Sequence, residues 1–206
     1  GIVGAQVPIG TGIAFTDKYK NEKNICRTYI GDGAMNNGQV FEAFNLASLW
    51  SLPVLYIIEN NMYGMGTSVN RAAAGNELYK RGEAFGIKGE IVDGMNVFKV
   101  IESAQKAGDY VRSGKGPFIL EVKTYRYRGH SMSDPAKYRT KEELNTYKEN
   151  DPIQIAHKEI IKKKIASEKE LENVNQKIIQ EIKKAAEFAL DSPYPDETDL
   201  YTDVYI

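Results

Sequence analysis

The chain contains a single cysteine, Cys26, among its 206 residues, so no disulfide can form within it. A protein without internal disulfides suits a reducing compartment. No histidine lies next to Cys26 in the sequence, and we expect this thiol to be buried in a strand instead of acting as a nucleophile. The chemistry is therefore expected from other residue types.

A surplus of charge is also lacking, since 27 Lys and Arg balance 28 Asp and Glu to a net charge of −1. This balance offers no basic surface for nucleic acid or an anionic membrane, and we interpret the lysines at 162–164 as a solvated helix face.

The longest apolar stretch, residues 49–58, is too short to span a bilayer, and no signal peptide is visible. No G-x-G-x-x-G follows a predicted strand, which disfavours dinucleotide binding. The 42% of hydrophobic residues predict a globular domain.

Two short polar motifs follow two predicted strands. The β-branched run 24–30 ends in Gly31-Asp32-Gly33, and the apolar run 53–58 is followed by Asn60-Asn61. Helical spacing of apolar residues over 39–49 makes the segment between them a crossover helix. A strand, a crossover helix and a parallel strand form one right-handed unit, and ligands collect beyond the carboxyl ends of such strands. We therefore expect Asp32 and Asn61 to meet at one edge of the sheet.

These residue types suit a magnesium ion that carries a diphosphate. Mg²⁺ prefers oxygen ligands and takes a few protein groups together with phosphate oxygens and water. Asp32 would supply charge, Asn61 an amide oxygen and the turn near Tyr63 a main-chain oxygen. Glycine on either side of Asp32 allows the main chain to approach phosphate closely. Either motif alone is more often a tight turn, but both at this spacing favour the metal–diphosphate interpretation.

The rest of the chain repeats the same alternation of elements. The patterns predict helices over 3–20, 77–85 and 97–112, strands over 90–92 and 118–125, and an active-site loop over 66–75. The inward face of helix 97–112 is predicted to contain Val97, Val100, Ile101, Ala104, Ala107 and Val111. Glycines in helix 3–20 indicate close packing against another helix or a cofactor. The predicted fold class is α/β, with a doubly wound, mostly parallel sheet.

A polar run follows the last predicted strand and is expected to lie over the same edge of the sheet as Asp32 and Asn61, where a ligand crevice is expected. It contains Arg126, Arg128, His130 and Ser131. Arginine offers a planar fork that suits phosphate oxygens, and His130 could donate a hydrogen bond to a substrate carboxylate. In isolation this run would be a solvated loop, but its place at a strand end favours a function.

Beyond residue 148 the chain is predicted to be helical and highly charged. Helices are expected over 153–165 and 168–190, with Asp151 as an N-cap before Pro152. We predict two parts: residues 1–148 form the α/β domain, and residues 149–206 form a helical extension packed on that domain.

The longer stretches of sequence around these motifs resemble a known protein family. The stretches GIVGAQVPIGTGIAF, GDGAMNNGQVFEAFNLASLW, ENNMYGMGTS and YRYRGHSMSDP are similar to the alpha subunits of the first component of pyruvate dehydrogenase, which are thiamine diphosphate-dependent 2-oxo acid dehydrogenases. The similarity runs from Gly1 to about Lys148 and continues more loosely to Ile206. The family has a thiamine diphosphate-binding fold, and members extend well before the position of Gly1, so the chain is expected to be a fragment.

The resemblance implies roles for individual residues. Asp32, Asn61 and the main-chain oxygen of Tyr63 match the family's magnesium ligands. Gly33 and Ala34 match residues that contact the diphosphate. Gly1 and Val3 match residues whose main chain contacts the aminopyrimidine ring. His130 and Arg126 match residues of the active-site loop, His130 as the catalytic one. Ser131 and Ser68 match serines that a regulatory kinase phosphorylates in mitochondrial members. Lys137 stands where a third such serine would be, so that site is missing.

The resemblance also implies activity and partners. The expected reaction is oxidative decarboxylation of pyruvate, with thiamine diphosphate and Mg²⁺, and transfer of the acetyl group to a lipoyl domain of the acetyltransferase core. A beta subunit would complete a heterotetramer of two alpha and two beta subunits, and the alpha subunit alone would be inactive. Alternatives are a branched-chain 2-oxo acid or acetoin dehydrogenase subunit, or a non-catalytic interaction subunit. The expected location is a bacterial cytoplasm or a mitochondrial matrix.

Overall fold

The computed structural model describes residues 2–204. The helices are α1 (Gln6–Tyr19), α2 (Gly38–Leu49), α3 (Val69–Ala72), α4 (Val97–Arg112), α5 (Lys141–Lys148), α6 (Pro152–Lys162) and α7 (Glu168–Asp191). The strands are β1 (Cys26–Gly31), β2 (Val54–Asn60), β3 (Tyr63–Gly64), β4 (Thr67–Ser68), β5 (Lys88–Asp93) and β6 (Phe118–Lys123). Short 3₁₀ helices span Ala34–Asn36, Leu78–Phe85 and Glu197–Leu200.

The main sheet has four parallel strands in the order β1-β2-β6-β5. In the β1–β2 pair Cys26 lies opposite Val54 and Gly31 opposite Glu59, so both strands end at the same edge. Parallel strands bring their carboxyl ends together because each connection must cross back along the sheet. The predicted strand–helix–strand unit is confirmed.

Both faces of the sheet are covered, which confirms the doubly wound α/β prediction. Strand β2 contributes Tyr56 to a core shared with α1 and α2, and Leu55 to a second core shared with α4. Successive side chains of a strand point to opposite faces. A strand buried on both sides therefore has the continuous apolar sequence found over 53–58.

Helix α1 packs closely on strand β1 through a glycine. A β-carbon at Gly10 would lie 1.9 Å from Thr28 Oγ1, so any larger residue would separate helix and strand. The predicted close packing is thus present: at Gly10 the partner is strand β1, and α1 also packs against helix α2.

Two details of the sequence prediction are wrong. Residues 66–75 are not a simple loop, because they contain strand β4, which pairs with β3 in an antiparallel hairpin, and helix α3. Helix α4 has the predicted bounds, but Val97 and Ile101 are 43% and 61% exposed. The buried face of α4 is narrower than the apolar pattern and centres on Ala107 and Val111.

The chain divides into two compact units, 1–156 and 157–206. In the second unit, the capping box of Ser167 and Glu170 begins α7, as the Ser–x–x–Glu pattern favours. No residue of α7 is buried, and its apolar residues Ile178, Ile179 and Ile182 are exposed. The predicted packing of this extension on the α/β domain stays a prediction. Within residues 2–204, no helix is both long and apolar enough to cross a bilayer.

Candidate functional site

Asp32 and Asn61 lie at the carboxyl ends of neighbouring strands β1 and β2. The main-chain N–H of Asn61 lies close enough to the Asp32 carboxylate to lower its pKa, so the two motifs are neighbours in space. Asp32 is buried, with 4% of its surface exposed. The strand register places them together because Gly31, which precedes Asp32, lies opposite Glu59, which precedes Asn60-Asn61.

Burial raises the pKa of the Asp32 carboxyl above its ordinary value, since a charge is poorly solvated there. Hydrogen bonds from its own amide and that of Asn61, and the charge of Arg126, oppose this rise. Glu121 acts in the same direction as burial, because it is a second negative charge nearby. A cation placed against Asp32 would therefore relieve an unfavourable environment for the carboxylate.

The turn after β2 is shaped by its two asparagines. Asn60 Oδ1 accepts a hydrogen bond from the N–H of Met62 at 3.1 Å, and Asn61 Oδ1 accepts one from Tyr63 at 3.3 Å. Side-chain amides of this kind mimic a backbone turn. Met62 has a φ of 74°, a left-handed conformation that the asparagine turn holds in place.

The turn after β1 touches the β3–β4 hairpin through two glycines. A β-carbon at Gly33 would lie 3.1 Å from the Cα of Gly64. Few side chains could occupy either position without separating the two segments. This contact keeps Asp32, Asn61 and Tyr63 in one compact group.

Arg126 is the first charged residue of the segment 124–140, which we call the rim loop. Its Nη1 donates to the main-chain oxygen of Tyr63 at 3.3 Å, and its Nη2 donates to that of Met65 at 2.6 Å and to Tyr138 at 3.2 Å. Nη1 is also 3.4 Å from His130 Nδ1. The buried Nε has no hydrogen-bond partner within residues 2–204. Arg126 thus joins His130 to the turn that carries Tyr63.

Asp134 holds the tip of the rim loop. Its carboxylate accepts hydrogen bonds from the main-chain N–H of His130 and Ala136, at 2.7 and 2.8 Å, and from Tyr138 at 2.8 Å. These bonds favour the charged form and lower the pKa of Asp134 to about 2. The exposed His130 is therefore fixed through its backbone, not through burial.

Glu143, in the first turn of α5, fastens the rim loop to the hairpin. Its Oε1 accepts hydrogen bonds from the hydroxyls of Tyr63 and Tyr125, both at 2.8 Å. Burial, followed by the bond to Glu143, raises the pKa of Tyr125 to about 12, and the same causes raise that of Tyr63. Arg139 donates to the main-chain oxygens of Arg126 and Tyr127.

The structure brings most of the predicted site residues together: Asp32, Gly33, Asn61, Tyr63, Arg126 and His130. Ala34 is buried at the start of the 3₁₀ helix that follows Gly33. Val3 is exposed, and its main-chain oxygen accepts a hydrogen bond from Gln39. Gly1 lies outside the described residues. The functional roles of all these residues stay predictions.

The two predicted phosphorylation sites differ in exposure. Ser131 is exposed on the rim loop, and its Oγ lies 3.1 Å from Ser133 Oγ. Ser68 is half-buried at the end of β4.

Sequence reasoning missed Glu121 and Glu143 as parts of the site. Both act on residues about 60 to 80 positions away along the chain. One local signal was present, since a glutamate in the otherwise apolar run of β6 is unusual.

The donor set fits a hard divalent cation better than a softer metal. The described residues, 2–204, include no group of three or more His, Cys, Asp or Glu placed to hold a metal. Instead the strand ends offer one carboxylate, one amide oxygen and main-chain oxygens, which is the ligand type that Mg²⁺ takes when it also binds phosphate. A β-carbon at Gly31 would meet no atom within 4 Å, so the main chain before Asp32 has open space beside it, whereas Gly33 is packed against Gly64.

Comparisons with known proteins agree with the motifs. A family model described as "Dehydrogenase E1 component" matches residues 1–198. Proteins named pyruvate dehydrogenase E1 component subunit alpha match the whole chain, at 58% identity in Rickettsia felis and 51% in Rhizobium meliloti. A mitochondrial protein of that name from Dictyostelium discoideum is 50% identical. The chain covers 63%, 60% and 55% of these relatives, respectively.

Proposed function

Because the chain belongs to the dehydrogenase E1 component family, we propose that it is the cofactor-binding part of the alpha subunit of a pyruvate dehydrogenase. The family resemblance found in the sequence is thereby confirmed. The relatives named above support pyruvate as substrate over branched-chain 2-oxo acids and acetoin, and over a non-catalytic role. The chain spans less than two thirds of the length of the curated relatives it matches.

The observation that carries the proposal is the position of Asp32 and Asn61 at the carboxyl ends of paired parallel strands, with the Asn61 N–H close to the Asp32 carboxylate. In the proposed site Asp32, the Asn61 side chain and the Tyr63 main-chain oxygen hold Mg²⁺, and Gly33 and Ala34 lie against the diphosphate. Thiamine diphosphate, when bound, supplies the carbanion chemistry that decarboxylates a 2-oxo acid. Gly1 and Val3 are proposed to contact the aminopyrimidine through their main chain.

The rim loop would close over the reacting end of the cofactor. Arg126 holds the loop against the Tyr63 turn and carries positive charge towards the diphosphate. His130, fixed by Asp134, would donate a hydrogen bond to the substrate carboxylate and is the proposed catalytic residue of this chain. The charged, hydrogen-bonded loop would also limit the access of water to the reacting atoms.

The proposed partners are a beta subunit, in a heterotetramer with two copies of each chain, and a lipoyl domain of the acetyltransferase core. The proposed location is a bacterial cytoplasm or a mitochondrial matrix. Ser131 is accessible to a regulatory kinase, and a phosphate there would add negative charge beside Ser133 and close to the crevice.

The test is reconstitution of the full-length protein with its beta subunit. We expect decarboxylation of pyruvate that requires both subunits, thiamine diphosphate and Mg²⁺. Branched-chain 2-oxo acids and acetoin, assayed in parallel, should give lower kcat/KM. Full activity from the alpha subunit alone, or a preference for another substrate, would contradict the proposal.

A further inference from the structure

A fully buried carboxylate lies beneath the candidate cofactor site. Glu121, in the central strand β6, has none of its surface exposed. Its Oε1 accepts a hydrogen bond from Asn60 Nδ2 at 2.7 Å, and its Oε2 accepts one from the main-chain N–H of Tyr79 at 3.0 Å. Arg81 is close enough to feel its charge, but donates its hydrogen bonds to Met35 and Asn36. Burying a carboxylate is costly unless it is hydrogen-bonded or paired with an opposite charge, so the bonds to Asn60 and Tyr79 are what hold Glu121 in this position.

Asn60 connects Glu121 to the turn after β2, which contains Asn61, Met62 and Tyr63. Its amide is used at both ends, because Nδ2 donates to Glu121 while Oδ1 accepts from the N–H of Met62. The bond to Glu121 therefore decides which way the amide of Asn60 faces. If the amide rotated, its NH₂ group would oppose the Met62 N–H and the turn would open. Asn61 and Tyr63, the proposed magnesium ligands, are carried by this same turn.

We infer that Glu121 is a positioning residue, which orients Asn60 and thereby fixes the turn that presents Asn61 and the Tyr63 oxygen to the cation. This inference rests on the proposed function. It adds a buried support to the cofactor site that acts without touching the cofactor. Supporting groups of this kind change metal affinity by roughly 10- to 100-fold when they are removed.

The geometry allows a test in which the donor and the acceptor of the hydrogen bond between Asn60 and Glu121 are exchanged. Glu121→Gln keeps the shape of the side chain but leaves only one oxygen for two donors, Asn60 and Tyr79. One of these donors must then face an N–H group. In the double variant Asn60→Asp with Glu121→Gln, the new amide donates to the new carboxylate and still accepts from Tyr79. That carboxylate also accepts from Met62, so every hydrogen bond of the original arrangement is restored.

The experiment measures binding of thiamine diphosphate as a function of Mg²⁺ concentration, by calorimetry on the full-length protein assembled with its beta subunit. We expect Glu121→Gln to weaken binding by about 10-fold or more and the double variant to recover most of this loss. Asn60→Asp alone should bind poorly, because two carboxylates then face each other. Glu59→Gln, the exposed neighbour on β2, is the matched control and should bind like the unchanged protein.

Each outcome decides a different question. If the unchanged protein does not bind thiamine diphosphate, the proposed function is wrong and the inference with it. If it binds, and folded Glu121→Gln binds equally well, only the positioning role is wrong. If Glu121→Gln does not fold, the decision falls to the double variant and to Asn60→Ala. Normal affinity of folded Asn60→Ala would overturn the inference, whereas recovery in the double variant would support it.

Discussion

The candidate site has a floor and a rim that are held in different ways. The floor consists of Asp32, Asn60 and Asn61 at strand ends and Glu121 within β6, and its hydrogen bonds join buried or half-buried groups. The rim loop mixes exposed and half-buried residues, and it is held by a few long side chains that donate to main-chain oxygens. The floor is thus built into the sheet, whereas the rim depends on individual contacts.

The two regions meet at Tyr63. Its main-chain oxygen accepts from Arg126, and its hydroxyl donates to Glu143. The main-chain oxygen of Asn60 in the floor also accepts hydrogen bonds from the N–H and hydroxyl of Thr124, the first residue of the rim loop, so a change in the rim can reach the floor by either route. Exposed segments with few apolar contacts open more readily than buried strands. We expect variants of the floor to weaken cofactor binding directly. Variants of the rim loop should mainly make the loop less ordered and weaken cofactor binding to a smaller extent.

The largest effect is expected at the floor, from Asp32→Asn. The change keeps the shape but removes the only charged ligand of the proposed magnesium site. Affinity for thiamine diphosphate in the presence of Mg²⁺ should fall about 100-fold or more, a loss of roughly 3 kcal/mol. Calorimetry on the reconstituted protein measures it, with the exposed Asp109→Asn as control. Unchanged affinity would refute the ligand assignment.

A smaller effect is expected at the rim, from Arg126→Met. The variant keeps much of the side-chain volume but loses the bonds to Tyr63, Met65 and Tyr138. Limited proteolysis should cut the rim loop faster, and cofactor affinity should fall by about 10-fold, because charged hydrogen bonds of this kind are worth roughly 1.5–3 kcal/mol each before compensation. Arg128→Met, at an exposed position nearby, should change neither property. A rim that resists the protease as before would show that Arg126 does not hold it.

A third effect concerns the joint between floor and rim. Glu143→Gln removes a negative charge beside Tyr125 and Tyr63, so the pKa of Tyr125 should fall from about 12 towards its ordinary value. Burial remains, so the fall should be partial. NMR titration of ¹³C-labelled tyrosine, with the signal assigned by Tyr125→Phe, measures the shift. A pKa that stays unchanged would mean that burial alone raises it.

The smallest effect is expected from acid on the tip of the rim loop. The pKa of Asp134 is lowered in the folded protein, from 3.8 to about 2, so its bonds stabilise the loop fully above about pH 4. This contribution is lost as the pH falls through about 2. Protection of the His130 amide from hydrogen exchange, measured against the intrinsic rate at each pH, should therefore fall in acid, and Asp134→Asn should show lower protection already at neutral pH. If exchange in that variant matched the unchanged protein, Asp134 would not hold the loop.

Much of the fold followed from the sequence because its signals are local. The apolar run of β2 and the helical spacing of α2 predicted one parallel unit, and α4 has the predicted bounds. The predicted meeting of Asp32 and Asn61 needed only the rule that parallel strands end at the same edge. The exposure of Val97 and Ile101 was missed because the pattern shows a face that can be buried, not how much of it a neighbour covers.

The sequence by itself determined the α/β alternation, the family and the two polar motifs, since each depends on residues that are close in the chain. Only the tertiary structure decided which distant groups support them. Glu121 reaches Asn60 across 61 positions, and Glu143 reaches Tyr63 across 80. Such partners leave no periodic pattern in the sequence, because their meeting depends on the order of strands in the sheet and the path of the rim loop.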